Sequence, residues 1–213
     1  VGSEMCIRDR QAAARFSELL GKRNHMRIYR DAAQEVKEAM KKYLFSETLQ
    51  SFVRVSYLEN GVVRQEEIVD ASSLFGLWYY DVMDESDPMF AATEKAVDRL
   101  LVNTQTEVGG VIRYQHDNYF KSTELSNPWI ITTLWQAQRI LSKATVTEEG
   151  LAKVREYLAW VVKYQTKSGV LAEQLNPYTG GPLSATPLVW SHAVYVETIL
   201  MYIERVKQQG QHD

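Results

Sequence analysis

The sequence predicts an all-α protein built as an array of helical hairpins. Its apolar residues recur at helical spacing in successive segments, and the connections between those segments alternate between long and short. The helices that follow long connections begin near residues 70, 128 and 187, at intervals of 58 and then 59 residues. This alternation places every long loop at the same end of the helix pairs, and such loop-rich ends commonly carry function.

The first ten residues differ from the rest. Val1–Arg10 shows neither a helical period nor the layout of a signal peptide, and it resembles translated adaptor sequence. We therefore expect residues 1–10 to be a non-native leader and the natural polypeptide to begin upstream. The single cysteine, Cys6, lies within this leader, so cysteine usage leaves the localisation unknown.

Helices and one β-hairpin are predicted for the first half of the native part. A helix ends at Gly21, and a second covers residues 27–44. Asn60-Gly61 predicts the turn of a short hairpin inserted in a loop. Asp70 is placed to cap a helix that extends to about residue 83, and Asp87-Pro88 opens one that extends to about 102.

Three further helices are predicted for the second half, over residues 129–141, 148–165 and 187–206. The first and last of them follow an X-Pro pair, which is a common way to begin a helix. The long connections over residues 103–126 and 167–186 are predicted as loops without secondary structure. They hold most of the residues that suggest chemistry.

Composition excludes several classes of partner. The net charge is −3, so the chain lacks the basic excess that binds nucleic acid or anionic membranes. No apolar run approaches the ~18 residues that a membrane-spanning helix needs. The twelve tyrosines and five tryptophans supply flat rings that suit the faces of sugars as well as a core.

The loop over residues 169–177 carries the most specific chemical signal. Glu173 is an isolated carboxylate between the apolar pair Leu171-Ala172 and Gln174, and it lies between two helical segments. A carboxylate held in this way is a candidate general base. The alternative is an exposed loop acid without a function.

Motifs on successive long loops resemble glycoside hydrolase family 15, which includes glucoamylases, glucodextranases and related exo-acting α-glucosidases. The resemblance extends over about residues 20–207 and is strongest where three motifs occur in order. These motifs are Arg113-Tyr114-Gln-His-Asp117-Asn-Tyr119, Asn127-Pro128-Trp129, and Gly169-Val-Leu-Ala-Glu173-Gln174 with its continuation through Ser184 to Trp190-Ser191.

The resemblance implies a fold and a mechanism. The family fold is an (α/α)6 toroid, which needs roughly 350 residues at this repeat length, so residues 11–213 are expected to form the C-terminal part of such a catalytic domain. The implied reaction is hydrolysis of α-glucosides from non-reducing ends with inversion, by an acid and a base ~6.5–9.5 Å apart. No cofactor and no metal are implied, and the expected partner is an α-glucan or α-glucoside substrate.

The resemblance also implies roles for particular residues. Glu173 matches the general base, Ser184 the hydroxyl that orients it, and Trp190 an aromatic residue near the base. Arg113 and Asp117 match residues that bind the hydroxyls of the terminal glucose. Trp129 matches a subsite aromatic and Tyr119 a wall residue.

Each assignment has a structural alternative. Arg113 and Asp117 could form a loop ion pair, Trp129 and Trp190 could be core aromatics, and Ser184 could be a turn hydroxyl. For Asn127 we favour the structural interpretation, a helix cap. His116 and His192 lack metal-ligand spacing and are interpreted as structural too.

The family's general acid, which lies in a Trp-Glu context, has no match in residues 1–213. Since losing a positioned acid costs ~10²–10⁴-fold in rate, we expect the chain by itself to be inactive or nearly so. The linkage cleaved, whether α-1,4, α-1,6 or that of trehalose, stays open. A second hypothesis is a non-catalytic helical-array protein that binds a glycan or a protein partner with the same face.

Overall fold

The computed structural model describes residues 2–209, and these residues form an all-α fold with short strands, as predicted. The helices are α1 Gly2–Leu19, α2 Arg23–Leu44, α3 Ala71–Tyr79, α4 Pro88–Leu101, α5 Ile130–Ser142, α6 Glu148–Lys163 and α7 Val189–Gln209. The strands are β1 Phe45–Ser46, β2 Ser51–Phe52, β3 Ser56–Glu59, β4 Val62–Gln65, β5 Val111–Ile112, β6 Pro128–Trp129, β7 Gln174–Leu175 and β8 Pro182–Leu183. The predicted repeat is present, because α3, α5 and α7 begin at residues 71, 130 and 189, each 59 residues after the one before.

The chain divides into two compact units, Val1–Leu100 and Leu101–Asp213. In the first unit, α1 and α2 form a hairpin around Gly21, whose φ of 69° lies in the left-handed region that glycine adopts without strain. Residues 2–10 are helical although their sequence shows no helical period. Residues 2–10 belong to α1, and Ile7 is buried on it, so these residues pack as the rest of that helix does. Their origin as a non-native leader stays a prediction.

Local signals in the first unit behave as predicted. Strands β3 and β4 pair antiparallel and turn at Asn60 and Gly61, whose φ values of 52° and 78° are those a tight hairpin requires. The Asp70 side chain caps α3 by accepting a hydrogen bond of 2.8 Å from the backbone N–H of Ser72. Asp87 does the same for α4, accepting from the Met89 N–H at 2.9 Å.

In the second unit, α5 is the central helix. Eleven of its thirteen residues are buried, because it packs against both α6 and α7. Helices α5 and α7 run in the same direction: Trp135 contacts Trp190 near their starts, and Arg205 hydrogen-bonds the Leu141 carbonyl near their ends. Both helices therefore begin at the end of the unit where the long loops lie.

The two long loops of this unit are joined by a four-stranded antiparallel sheet in the order β5-β6-β7-β8, which the sequence analysis did not predict. Trp129 in β6 pairs with Val111 on one side and with Gln174 on the other. Gly110 permits the close packing, since a Cβ at this position would lie 2.6 Å from the Trp160 ring and 2.8 Å from Pro128.

The sheet also corrects two predicted helix starts. Helix α5 begins at Ile130, because Pro128 and Trp129 have extended backbone and pair in β6. Helix α7 begins at Val189, two residues beyond the cis Thr186–Pro187 peptide bond. In both cases the X-Pro pair precedes the helix and does not form its first turn.

Candidate active site

The four-stranded sheet gathers the predicted site residues at one end of the second unit. Arg113 directly follows β5, Trp129 lies within β6, Glu173 directly precedes β7, and Ser184 directly follows β8. Since neighbouring strands are hydrogen-bonded in that order, segments up to about 70 residues apart along the chain become neighbours in space.

Glu173 is held in place by hydrogen bonds of its backbone and of its side-chain carboxylate. Its N–H donates to the Ala185 carbonyl at 2.9 Å, and its own carbonyl accepts from the Ile130 N–H at 3.3 Å. The Ser184 hydroxyl donates to Glu173 Oε2. The residue is half-buried, so the alternative of a free, exposed loop acid does not describe it. A fixed, partly accessible carboxylate is the geometry that a general base requires.

Ser184 adopts an unusual backbone conformation. Its φ of 59° lies in the left-handed region, which costs a residue other than glycine about 1–3 kcal/mol. Its hydroxyl bonds a carboxylate and not its own turn, and hydrogen bonds to ionised groups are the strong ones. The turn-hydroxyl alternative is therefore a poor description of this residue.

The first turn of α7 supports the segment that precedes Glu173. The Ser191 hydroxyl donates to the Ala172 carbonyl at 2.8 Å, and the Leu171 N–H donates to His192 Nε2 at 3.0 Å. His192 was interpreted as structural, and Ser191 was part of the quoted motif without a role. The signal for such a role is its hydroxyl, two residues into the helix that follows the Glu173 loop.

Arg113 and Asp117 form a bidentate ion pair. Arg113 Nε donates to Asp117 Oδ2 and Nη2 to Oδ1, both at 3.0 Å, and the Tyr119 N–H also donates to Oδ1 at 3.0 Å. Burial of Arg113 opposes its charged form, but the hydrogen bonds and the charge of Asp117 outweigh it and hold the pKa of Arg113 above its ordinary value. The Asp117 carboxylate is buried, so the pair is not a solvated surface contact.

The aromatic residues of the site separate into buried and accessible ones. Trp129 is only 3% exposed, and the guanidinium carbon of Arg113 lies 4.4 Å from its ring centroid. Tyr119 is 46% exposed, and its ring lies 5.3 Å from the same guanidinium. Trp190 is 53% exposed and meets Trp135 edge to face. Trp190 is therefore not a core aromatic, whereas Trp129 packs beneath Arg113.

Asn127 is not the helix cap that we favoured. The residue before α5 is Trp129, and no side chain caps that helix start. The amide nitrogen of Asn127 instead donates to the Phe120 carbonyl at 3.0 Å and to Gln174 Oε1 at 2.7 Å. It thereby bridges the loop that carries Arg113 and the strand that follows Glu173. A sequence pattern cannot show this, since the partners lie 7 and 47 residues away.

Residues 2–209 lack two further kinds of feature. They contain no group of three or more His, Cys, Asp or Glu side chains arranged to hold a metal ion. Within the same range, no helix combines the length and the apolar character needed to cross a bilayer.

Curated proteins with related sequences are glycosyl hydrolases. An uncharacterised glycosyl hydrolase of Methanocaldococcus jannaschii is 28% identical over 195 residues, which are 87% of this chain and 29% of that protein. A glucoamylase of a Clostridium species is 32% identical over 140 residues, which are 64% of this chain and 20% of that protein. The chain thus spans less than a third of the length of either relative.

Solved structures share the fold. A bacterial glucoamylase in complex with acarbose matches with a TM-score of 0.76 at 23% identity, over 95% of this chain and 33% of that one. Glucoamylase from Saccharomycopsis fibuligera matches with a TM-score of 0.67 at 16% identity, over 95% of this chain and 55% of that one. These matches confirm the predicted fold class, a helical-hairpin array of the glucoamylase (α/α)6 type.

The family model for glycosyl hydrolases family 15 matches residues 10–152 and 148–200. Those ranges contain every residue that the sequence analysis assigned to the site, and they cover most of the chain. The order of the motifs, the fold and this match agree, and the chain belongs to glycosyl hydrolases family 15.

Proposed function

We propose that this chain is the C-terminal part of the catalytic domain of an inverting, exo-acting α-glucoside hydrolase, with Glu173 as its general base. The observation that carries the proposal is the Glu173 carboxylate, which is fixed by the Ser184 hydroxyl and by two backbone hydrogen bonds. It lies on the same four-stranded sheet that the loop of the Arg113–Asp117 pair follows. Family membership and the similarity to a Clostridium glucoamylase support α-linked glucose as the substrate.

The proposed chemistry needs one proton acceptor and one proton donor. Glu173 removes a proton from a water molecule as the water oxygen bonds to the anomeric carbon, and the bond to the glycosidic oxygen breaks on the opposite face. An acid protonates the departing oxygen, and the released glucose has the inverted anomeric configuration. Ser184, by donating to one oxygen of Glu173, leaves the direction of the other oxygen defined.

The Arg113–Asp117 pair is proposed to bind hydroxyls of the terminal glucose. Asp117 accepts three hydrogen bonds from the protein, and a carboxylate offers about four acceptor sites, so one more donor can be accommodated. Arg113 supplies N–H donors for sugar oxygens on its accessible side. Buried polar groups of this kind discriminate strongly against sugars that leave them unpaired.

The general acid is proposed to lie in a part of the polypeptide upstream of residue 1, because no Trp-Glu pair occurs in these 213 residues. Asp117 is a poor alternative, since both its oxygens already accept hydrogen bonds from Arg113. On this proposal the chain alone does not hydrolyse natural α-glucosides at an appreciable rate.

The base is tested in the complete natural polypeptide that contains residues 11–213. We expect E173Q to lower the kcat for maltose by about 10²–10⁴-fold, because the amide cannot accept the proton of water. E173Q should impair hydrolysis of α-glucosyl fluoride as well, since fluoride leaves without an acid but water still needs a base. Initial rates give both comparisons, and proton NMR of the first product gives its anomeric configuration.

The matched control is E124Q, which removes an exposed acid from the neighbouring loop and should leave both rates unchanged. A wild-type rate for E173Q with either substrate would contradict the base assignment. Retained configuration in the product would contradict the inverting mechanism even if E173Q were inactive.

A further inference from the structure

We infer that Asn127 is a positioning residue that holds Glu173 in register with the Arg113–Asp117 pair. This inference rests on the proposed function and deepens it, because it names a residue on which the geometry of the base depends. Asn127 does not act on the substrate in this view. It acts through Gln174 and Phe120, the two residues that its amide nitrogen joins.

The amide nitrogen of Asn127 connects the loop that carries the Arg113–Asp117 pair with the strand that follows Glu173. Gln174 directly follows Glu173 and is fully buried in β7, so its side chain cannot move without moving that strand. Phe120 ends the loop that carries Arg113, Asp117 and Tyr119. Strand β5 holds the beginning of this loop to the sheet, and Asn127 holds its end.

The chemistry of the side chain is specific. Each of the two bonds from Asn127 uses one N–H of the primary amide, at 2.7 Å to Gln174 and 3.0 Å to Phe120. An aspartate at this position would offer only acceptors toward two acceptor oxygens, and a hydrophobic side chain would leave both oxygens unpaired. Only a side chain with two donors on one short arm satisfies both partners.

Two observations argue against a role in packing alone. Asn127 is only 2% exposed, yet its Oδ1 and the Gln174 Nε2 have no hydrogen-bond partner among residues 2–209. Burying such atoms is unfavourable, and an apolar pair of the same size would avoid that penalty. In addition, Phe120 has a left-handed φ of 54°, so the carbonyl that Asn127 holds belongs to a strained residue.

The test is a double-mutant cycle in the complete natural polypeptide, with α-glucosyl fluoride as substrate. We expect N127A to lower kcat by about 10- to 100-fold, because a displaced base loses alignment with the attacking water. In the E173Q background the same substitution should have almost no further effect, because there is no base left to position. Q174M, which removes the acceptor while keeping the Asn127–Phe120 bond, should behave like N127A.

N103A is the matched control. Asn103 also stabilises a loop through its amide, to Thr106 Oγ1 at 2.8 Å and to the Gly109 carbonyl at 3.3 Å, but it does not contact the Glu173 strand. Any effect of N103A on rate should be the same in the wild-type and E173Q backgrounds. Thermal unfolding of each variant shows whether N127A and N103A lose comparable stability.

The outcomes distinguish the positioning role of Asn127 from the proposed role of Glu173 as the base. If E173Q is impaired and N127A adds its full effect to it, the positioning role is wrong while the proposed function stands. A normal rate for both N127A and Q174M would also overturn the positioning role. If E173Q hydrolyses the fluoride at the wild-type rate, the base assignment fails and the inference fails with it.

Discussion

At the scale of single residues, several side chains of the site contact and position a neighbouring side chain. Ser184 has a left-handed backbone conformation, and its hydroxyl donates a hydrogen bond to Glu173. The Trp129 ring lies beneath the Arg113 guanidinium and is itself only 3% exposed. The aromatics that remain accessible for substrate contact are Tyr119 and Trp190.

Two substitutions at Ser184 distinguish the strain of its backbone conformation from the role of its hydroxyl. S184G and S184A both remove the hydroxyl, but only glycine adopts a φ of 59° without strain, so S184G should be more stable than S184A by about 1–2 kcal/mol. In the complete natural polypeptide both should lower kcat by a similar factor, about 10- to 100-fold. Thermal unfolding and initial rates on maltose are the measurements. Wild-type kcat in S184G would show that the base needs no hydroxyl partner.

At the scale of elements, the second unit is organised by α5 and by the sheet that precedes it. Helix α5 contributes buried polar residues as well as apolar ones, and Gln138 donates to Glu197 of α7 at 3.0 Å. Arg205 of α7 closes the other end of α5, donating from Nε to the Leu141 carbonyl at 2.7 Å and from Nη2 to the Lys143 carbonyl at 2.8 Å. These carbonyls lie at the helix C-terminus, where cations are favoured.

The Arg205 contact is expected to contribute measurably to stability. R205A leaves both carbonyls of the α5 terminus without this charged donor, and we expect the free energy of unfolding to fall by about 1.5–3 kcal/mol. The measurement is urea unfolding of the complete natural polypeptide, followed by circular dichroism. K207A is the control, because Lys207 is exposed on the same helix and should change stability little. Equal midpoints for R205A and the wild type would contradict the capping role.

At the scale of the whole molecule, α7 exposes an apolar stripe. Its members recur at helical spacing along the helix and are accessible to solvent: Val189, Val196, Leu200 and Ile203. A helix face of this kind is normally covered, and large exposed apolar patches promote association. A partial helical array is expected to leave helix faces uncovered, and this chain spans less than a third of the length of its relatives.

The stripe predicts self-association of the isolated chain. We expect the wild type to form concentration-dependent oligomers or aggregates, and L200E to reduce them, because a charge in the middle of the stripe opposes burial. Static light scattering over a concentration series is the measurement. V162E, at an exposed position of α6, is the control and should not have this effect. A wild-type chain that stays monomeric and unfolds cooperatively would count against the expected truncation.

Local interactions made much of this molecule predictable. The caps at Asp70 and Asp87 and the Asn60-Gly61 turn depend on residues a few positions apart, and each forms as predicted. The 59-residue repeat of α3, α5 and α7 and the order of the family motifs depend on sequence alone as well. The fold class, the family, the candidate residues and the approximate positions of most helices therefore follow from the sequence. The helical structure of residues 2–10 and the exact starts of α5 and α7 do not.

The contacts among the candidate residues depend on the tertiary structure. The strands of the site sheet are two residues long and carry no periodicity, and they form because Trp129 pairs with Val111 and Gln174, 18 and 45 residues away. Because of the same pairing, Asn127 does not cap a helix but hydrogen-bonds Gln174, and Trp129 is buried beneath Arg113. The physical reason is that hydrogen bonds and burial between distant segments depend on the packed arrangement of α5, α6 and α7, which no local pattern encodes.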